Sequence, residues 1–275
     1  MSAPALLGPG EGVSNHKRFR IKAGLEQLVL TEIDHTPGEF EPPPHVHHHH
    51  ADAFYVLEGE MLFLLGDEEH VLGANQFVFA PPELVHCYRS PGSRPARMLN
   101  IHAPGMGFDR RLLGEELDFD QHPPPADGGL PASAGRAGRT GERLRLGASE
   151  ALILAGGSDG IGSLTVVEME VAPGFAGPPP HLHDKLIDSF YVLEGTLHVR
   201  LGEESLDAEA GSYALVPPGT LHTFSNPSDA PARVLNVQAP GGLDAYLREL
   251  AAAPAAASDP ASIAQIAAKY DIRFA

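Results

Sequence analysis

The chain has 275 residues, a formal net charge of −17, one cysteine and no tryptophan. The lone Cys87 excludes an internal disulfide and a cysteine-based zinc cluster and suits a reducing cytoplasm. The acidic balance argues against nucleic acid or anionic lipid as a partner, and no apolar run approaches membrane-spanning length.

In chain order, residues 1–17 lack a basic segment followed by an apolar core, so they read as a flexible tail and not a secretory signal. The next landmark is "PPPHVHHHHADAFYVLEG" at 42–59, which returns as "PPPHLHDKLIDSFYVLEG" at 178–195. His45 and His181 differ by 181 − 45 = 136, and the same offset relates Pro37 to Pro173, Asp52 to Asp188, Gly59 to Gly195 and His86 to His222. It also relates "LNIHAPG" at 99–105 to "LNVQAPG" at 235–241. One register held without a gap over that span means two copies of one domain. The expected division is an N-terminal domain at 18–118, a Pro/Gly/Ala-rich linker at 119–141, a C-terminal domain at 142–242 and C-terminal helices at 243–275.

Each copy reads as all-β. In "GTLHVRLG" (195–202), Leu197, Val199 and Leu201 alternate with Thr196, His198 and Arg200, so the apolar face points into a barrel. In "GEMLFLLG" (59–66), Leu62 and Leu64 replace His198 and Arg200, which predicts that this outer face is covered by the other domain or another subunit. "NQFVFAPPELVH" (75–86) and "GSYALVPPGTLH" (211–222) each read as a turn, a short strand, a Pro-Pro break and a histidine; Asn75 matches Gly211 at a left-handed position, and Glu83 matches Gly219. Such short strands and turns predict a barrel or jelly roll. After the first copy, "FDRRLLGEEL" predicts a short helix. After the second, Leu243, Tyr246, Leu247 and Leu250 form one helical stripe, and Ile263, Ile266 and Tyr270 form another, capped by Asp259 with Pro260 at the first helical position. Both stripes are expected to pack on the barrel.

Alternation on an extended segment aims His45 and His47 at one point. Asp52 opens the next apolar strand and His86 follows the Pro-Pro break; His181, His183, Asp188 and His222 repeat the spacing. Three imidazoles and a carboxylate converging in a barrel suit a divalent transition metal, with Zn, Cu, Fe, Ni, Co and Mn all compatible. His48, His49 and His50 align with Asp184, Lys185 and Leu186 and read as polar loop residues, one of them a candidate for the pocket mouth or proton shuttling. Glu58 and Glu194 read as turn residues and Cys87 as a packed thiol. His102 and Gln238 share a strand face with Asn100 and Asn236, which makes them pocket candidates. Phe54, Val56, Met61, Phe63, Phe77 and Phe79, with Phe190, Val192, Leu197, Val199, Tyr213 and Leu215 in the second copy, are inward candidates. Phe54, Met61, Phe63, Phe77, Phe190, Leu197 and Tyr213 are assigned to the substrate pocket.

These two stretches, together with "APPELVH" and "GSYALVPPGTLH", resemble the two sequence motifs of the cupins. The likeness covers both halves, so the chain resembles a bicupin. The resemblance implies two double-stranded β-helix barrels, each with a metal ion held by His45, His47, Asp52 and His86, and by His181, His183, Asp188 and His222. The family's acidic ligand is usually Glu. An Asp in both copies must bring its strand closer, bind through water or leave the metal. The resemblance to quercetinase-like dioxygenases implies an aromatic, flavonol-like or polyketide-like enol or phenol as substrate, with dioxygen as co-substrate and Asp52 or Asp188 as the base. A non-redox metal-dependent cyclase, isomerase or decarboxylase fits the same ligands, and a metal-free binding or regulatory bicupin is the third reading. Cupins often associate through exposed sheet faces, which makes a second copy of the chain a candidate partner.

Overall fold

The computed structural model describes residues 3–14, 18–39, 41–253 and 260–275. They fold as strands with few helices and divide into two compact units. The first comprises Gly12–Thr140 with Asp159–Ser163, and the second comprises Ser2–Glu11, Gly141–Ser158 and Leu164–Ala275.

In the first unit a six-stranded sheet runs in the order Arg136–Ala137, Phe77–Ala80, Ala51–Glu58, Ala96–Ala103, Val29–His35, Phe19–Gly24. A three-stranded sheet of Glu68–Gly73, Glu60–Leu65 and His86–Arg89 accompanies it. The second unit builds a seven-stranded sheet around Asp188–Glu194 and Ala232–Gln238 and a five-stranded sheet around Thr196–Leu201 and His222–Ser225. All pairings between these strands are antiparallel, and the 136-residue repeat places equivalent strands in equivalent positions.

Alternation decides which residues meet in each core. Phe54, Val56, Met61, Phe63, Val78 and Met98 form one buried cluster, and Phe190, Val192, Leu197, Val199, Ala214 and Val234 form its counterpart. Phe54 pairs with Val78 across the sheet, so Phe77 and Phe79 point to the opposite face beside Tyr55 and Ala53. The inward assignment of Phe77, Phe79, Tyr213 and Leu215 is therefore corrected by one residue of register: Val78, Ala80, Ala214 and Val216 face the core. The error arose because both faces of these short strands are apolar and buried, which removes the alternation that reports direction. Leu62 and Leu64 are half-buried.

Three further expectations change. Residues Ala5–Leu7, read as part of a flexible tail, form an edge strand that pairs antiparallel with Tyr213–Val216 in the second unit. The helix after the first copy spans only Phe108–Leu112, and Gly114 in a left-handed conformation (φ 93°) stops it. Residues 119–141, read as a linker, carry Asp120, which the next section places behind the first histidine cluster. The two C-terminal helices run Leu243–Ala252 and Pro260–Ala267. The Asp259 cap lies outside the described residues.

Asn75 and Gly211 both take left-handed conformations (φ 66° and 91°), as their alignment predicts. Glu83 and Gly219 do too (φ 69° and 80°), and a Cβ at Glu83 strains that backbone. Glu83→Gly is expected to stabilise the chain by about 1 kcal/mol, since only an exposed contact of its carboxylate with His48 is lost. The urea midpoint checks this; an unchanged or lower midpoint rejects it.

Candidate metal centres

Each centre is assembled from three places in its barrel. His45 forms a bridge to His86, and His181 pairs with His222, so the first and last imidazoles are cross-strand neighbours. Alternation brings His47 and His183 to the same side. Asp52 and Asp188 come from the adjoining sheet strand. All eight are buried.

The ligand atoms of His45, His47, Asp52 and His86 all lie within 4.8 Å of one another, and so do those of His181, His183 and His222. Asp52 Oδ2 is 3.7 Å from His47 Nε2 and 3.4 Å from His86 Nε2; Asp188 Oδ2 is 3.8 Å from His183 Nε2 and 3.4 Å from His222 Nε2. Two atoms bound about 2.1 Å from one ion at tetrahedral or octahedral angles stand about 3.0–3.4 Å apart. The arrangement needs only a small contraction around a cation.

The hydrogen bonds fix which nitrogen faces inward. His45 Nδ1–H donates to the Pro43 carbonyl (2.8 Å), His86 to Leu84 (2.9 Å), His181 to Pro179 (3.0 Å) and His222 to Thr220 (3.0 Å). His47 and His183 donate instead to the remote carbonyls of Asp120 and Asp271. With Nδ1 carrying the proton, Nε2 is left as a lone pair. Nε2 of His47, His86, His183 and His222 is buried with no hydrogen-bond partner, an arrangement a bound cation satisfies and an apolar core does not. The residues therefore fit a divalent metal.

The carboxylates are also held. Asn100 Nδ2 donates to Asp52 Oδ1 (2.5 Å), and Asn236 Nδ2 donates to Asp188 Oδ1 (2.6 Å), which leaves each Oδ2 toward the histidines. Burial pushes both carboxyls up, but the surrounding histidines outweigh it and hold both well below the usual carboxylate range. Burial, reinforced by the neighbouring imidazole, pulls His45 down to about 3 and His181 to about 4. At neutral pH His45 and His181 are therefore neutral rings beside an ionised carboxylate, the state in which such groups bind metal.

The units differ in what surrounds these clusters. In the first, His50 is fully buried, with Nδ1 donating to the Asp120 carboxylate (2.8 Å) and Nε2 lying 3.0 Å from His102 Nδ1. His102 Nε2 donates to Asn100 Oδ1 (3.0 Å), whose amide reaches Asp52; with those protons placed, the facing His50 Nε2 and His102 Nδ1 of the two neutral rings present lone pairs to each other. His50 lies in the loop as read but is buried there, while His48 and His49 are exposed. The second copy gives no warning here, because its Leu186 and Gln238 stand where the first has His50 and His102. His47, His50 and His102 also offer ring nitrogens within 4.8 Å of one another. Phe108 stacks on His102 (centroids 3.9 Å apart), and Phe119 sits 5.4 Å from His50 and 5.8 Å from His47.

In the second unit, His181, His183 and Asp188 open onto a cavity of about 400 Å³. Its walls are mostly apolar, with Met169, Phe175, Phe190 and Phe224 from the barrel and Leu243, Tyr246 and Leu250 from the first C-terminal helix. Of the seven residues assigned to the pocket from sequence, Phe190 lines this cavity. Leu197 packs in the core of that unit, and Tyr213 faces the other side of its strand. Phe54, Met61 and Phe63 fill the core of the first unit, and Phe77 points away from it. The sequence did signal the helical wall, through the stripe of Leu243, Tyr246, Leu247 and Leu250, but a stripe does not say whether it closes on a core or a cavity.

The cupin domain model matches residues 32–102 and again 167–238. A quercetin 2,3-dioxygenase from Bacillus subtilis is 22% identical over 245 residues, covering 76% of this chain and 72% of that protein. A germin-like protein from Arabidopsis thaliana is 32% identical over 126 residues, 42% of this chain and 54% of its own. Among solved structures, a salicylate 1,2-dioxygenase from Pseudaminobacter salicylatoxidans superposes with a TM-score of 0.62 at 12% identity, covering 89% of this chain and 86% of its own. An oxalate decarboxylase from Lactobacillus farciminis superposes with a TM-score of 0.58 at 12% identity, covering 86% of each chain. Two cupin matches in one chain, each spanning a barrel with its own histidine cluster, show that this protein belongs to the cupin family and carries that domain twice.

Proposed function

We propose that the chain is a metal-dependent dioxygenase acting on an aromatic, flavonol-like or polyketide-like enol or phenol, and that its second barrel is the working site. The observation that carries this reading is the cavity of about 400 Å³ that meets His181, His183 and Asp188 at one end and apolar walls elsewhere. That shape suits a flat molecule with oxygen atoms at one edge. The cationic residue on its lining, Arg145, is exposed to solvent and the walls near the histidines are apolar, which disfavours an oxalate-like substrate. The likeness to a quercetin dioxygenase supports the same substrate class.

His181, His183, His222 and Asp188 would hold the ion. When bound there, a divalent ion supplies Lewis acidity that lowers the pKa of a hydroxyl and a place for dioxygen to react. Asp188 stays ionised at neutral pH and is by itself a weak base, so it takes a proton only from a hydroxyl already made acidic. Asn236 and Gln238 keep its Oδ1 occupied, so Oδ2 faces the histidines. The aromatic walls orient the substrate and exclude water from the reacting edge.

Oxygen uptake by the metal-loaded protein with a flavonol such as quercetin tests the reading. Uptake proportional to substrate consumed, and lost in Asp188→Ala, is the expected result. Turnover that continues without dioxygen replaces it with a cyclase, isomerase or decarboxylase. A chain that retains no metal replaces it with a binding protein.

A further inference from the structure

We propose that Asp120 and Asp271 are positioning residues of the two metal centres, each orienting the second imidazole of its His-x-His pair from a segment outside the sequence repeat. The inference rests on reading the two clusters as metal centres.

Four of the six imidazoles donate Nδ1–H to a carbonyl two residues earlier in their own chain. His47 and His183 do not: their acceptors are the carbonyls of Asp120, 73 residues away, and Asp271, 88 residues away. The carboxylate of the same aspartate then grips the turn that follows the histidine. Asp120 accepts from the backbone N–H of His48 (3.0 Å) and His49 (2.8 Å); Asp271 accepts from Asp184 (2.9 Å), Lys185 (2.8 Å) and Leu186 (2.8 Å). The next residues but one add a backbone tie, His122 pairing with Val46 and Arg273 with Leu182. One residue thus fixes the ring through its carbonyl and the loop carrying the ring through its carboxylate.

The two clasps are not copies in register. Their offset is 271 − 120 = 151, against the 136 of every motif residue, so the second path is 15 residues longer. It passes through the C-terminal helices before returning to the same place. Two chain routes of different length ending in one geometry indicate that the metal centre, not the repeat, dictates the contact. An acceptor on Nδ1–H holds the tautomer that leaves Nε2 free and sets the direction of its lone pair. In the second unit the clasp is continuous with the cavity, since Ile272 and Phe274, which follow Asp271 in the chain, line the wall.

The test is a cobalt(II) titration of the metal-stripped full chain against a chromophoric chelator, with the visible spectrum of bound cobalt recorded. The parent chain should bind two ions. Asp271→Ala keeps the backbone carbonyl but frees the turn, and should weaken one of them about 10- to 100-fold and change its spectrum, leaving the other untouched, while Asp120→Ala does the reverse. Asp271→Asn keeps an oxygen acceptor for the turn and should fall between parent and alanine variant. The unaffected ion reports that the chain is folded. Parent-like affinity and spectrum in both alanine variants would overturn the positioning role alone. Loss of both ions from Asp271→Ala would overturn it in favour of general unfolding. A parent chain that binds no cobalt would instead overturn the metal reading, and the proposal with it.

Discussion

Replacing His183 by alanine is expected to empty the second barrel of its ion and lower turnover about a thousandfold, while His47→Ala removes the ion of the first barrel and leaves turnover within about twofold. Losing a ligand forfeits the charge stabilisation that a metal gives the transition state. About 4 kcal/mol of it corresponds to a factor of about 1,000. The asymmetry follows from the surroundings. His181, His183 and Asp188 face a cavity of about 400 Å³, whereas the first cluster is packed about by His50, His102, Phe108 and Phe119. Elemental analysis beside oxygen uptake separates the possibilities. Each variant should lose one ion per chain. Equal loss of turnover in the two variants would mean that both barrels work; loss confined to His47→Ala would transfer the active site to the first.

The second large effect is on acid stability. The metal-stripped protein should lose stability as pH falls from about 6.5 toward 4. His45 is held near 3, and His50 and His181 near 4, chiefly by burial, whereas the unfolded chain takes up these protons near 6.5. Between these values the unfolded state binds more protons, so unfolding becomes easier as pH falls. Each such histidine contributes up to about 2 kcal/mol between pH 6.5 and 5. His183 works in the opposite sense, since Asp188 outweighs burial and raises it. The depressed Asp52 and Asp188 extend the loss to still lower pH, because carboxylates ionised in the fold must be protonated for the unfolded state to win. Urea midpoints measured from pH 7.5 to 5 should fall steadily and recover on adding a divalent cation, which binds the neutral rings. A flat profile would mean that the histidines titrate normally and are not enclosed.

The repeat made most of the architecture legible. A gap-free offset of 136 and period-two alternation in strands such as Thr196–Leu201 suffice for two antiparallel barrels with Leu197 and Val199 inside. Asn75 and Gly211 gave the turns. The same offset isolated His45, His47, Asp52 and His86 with their partners, because a motif that recurs in both halves separates itself from its neighbours. Alternation failed at Phe77 and Tyr213, where both strand faces are buried and carry the same chemistry.

By itself, then, the amino-acid sequence determined the duplication, the barrel class and the two sets of donor atoms, since local periodicity and an internal repeat encode these directly. Only the tertiary structure decided the rest. It placed Asp120 and Asp271 behind His47 and His183 through contacts 73 and 88 residues apart in the chain. It turned His50 inward to meet Asp120 and His102, and it opened a cavity beside the second cluster. Those features depend on where distant segments return and on how side chains fill the space between them, and neither is written in any short stretch of the chain.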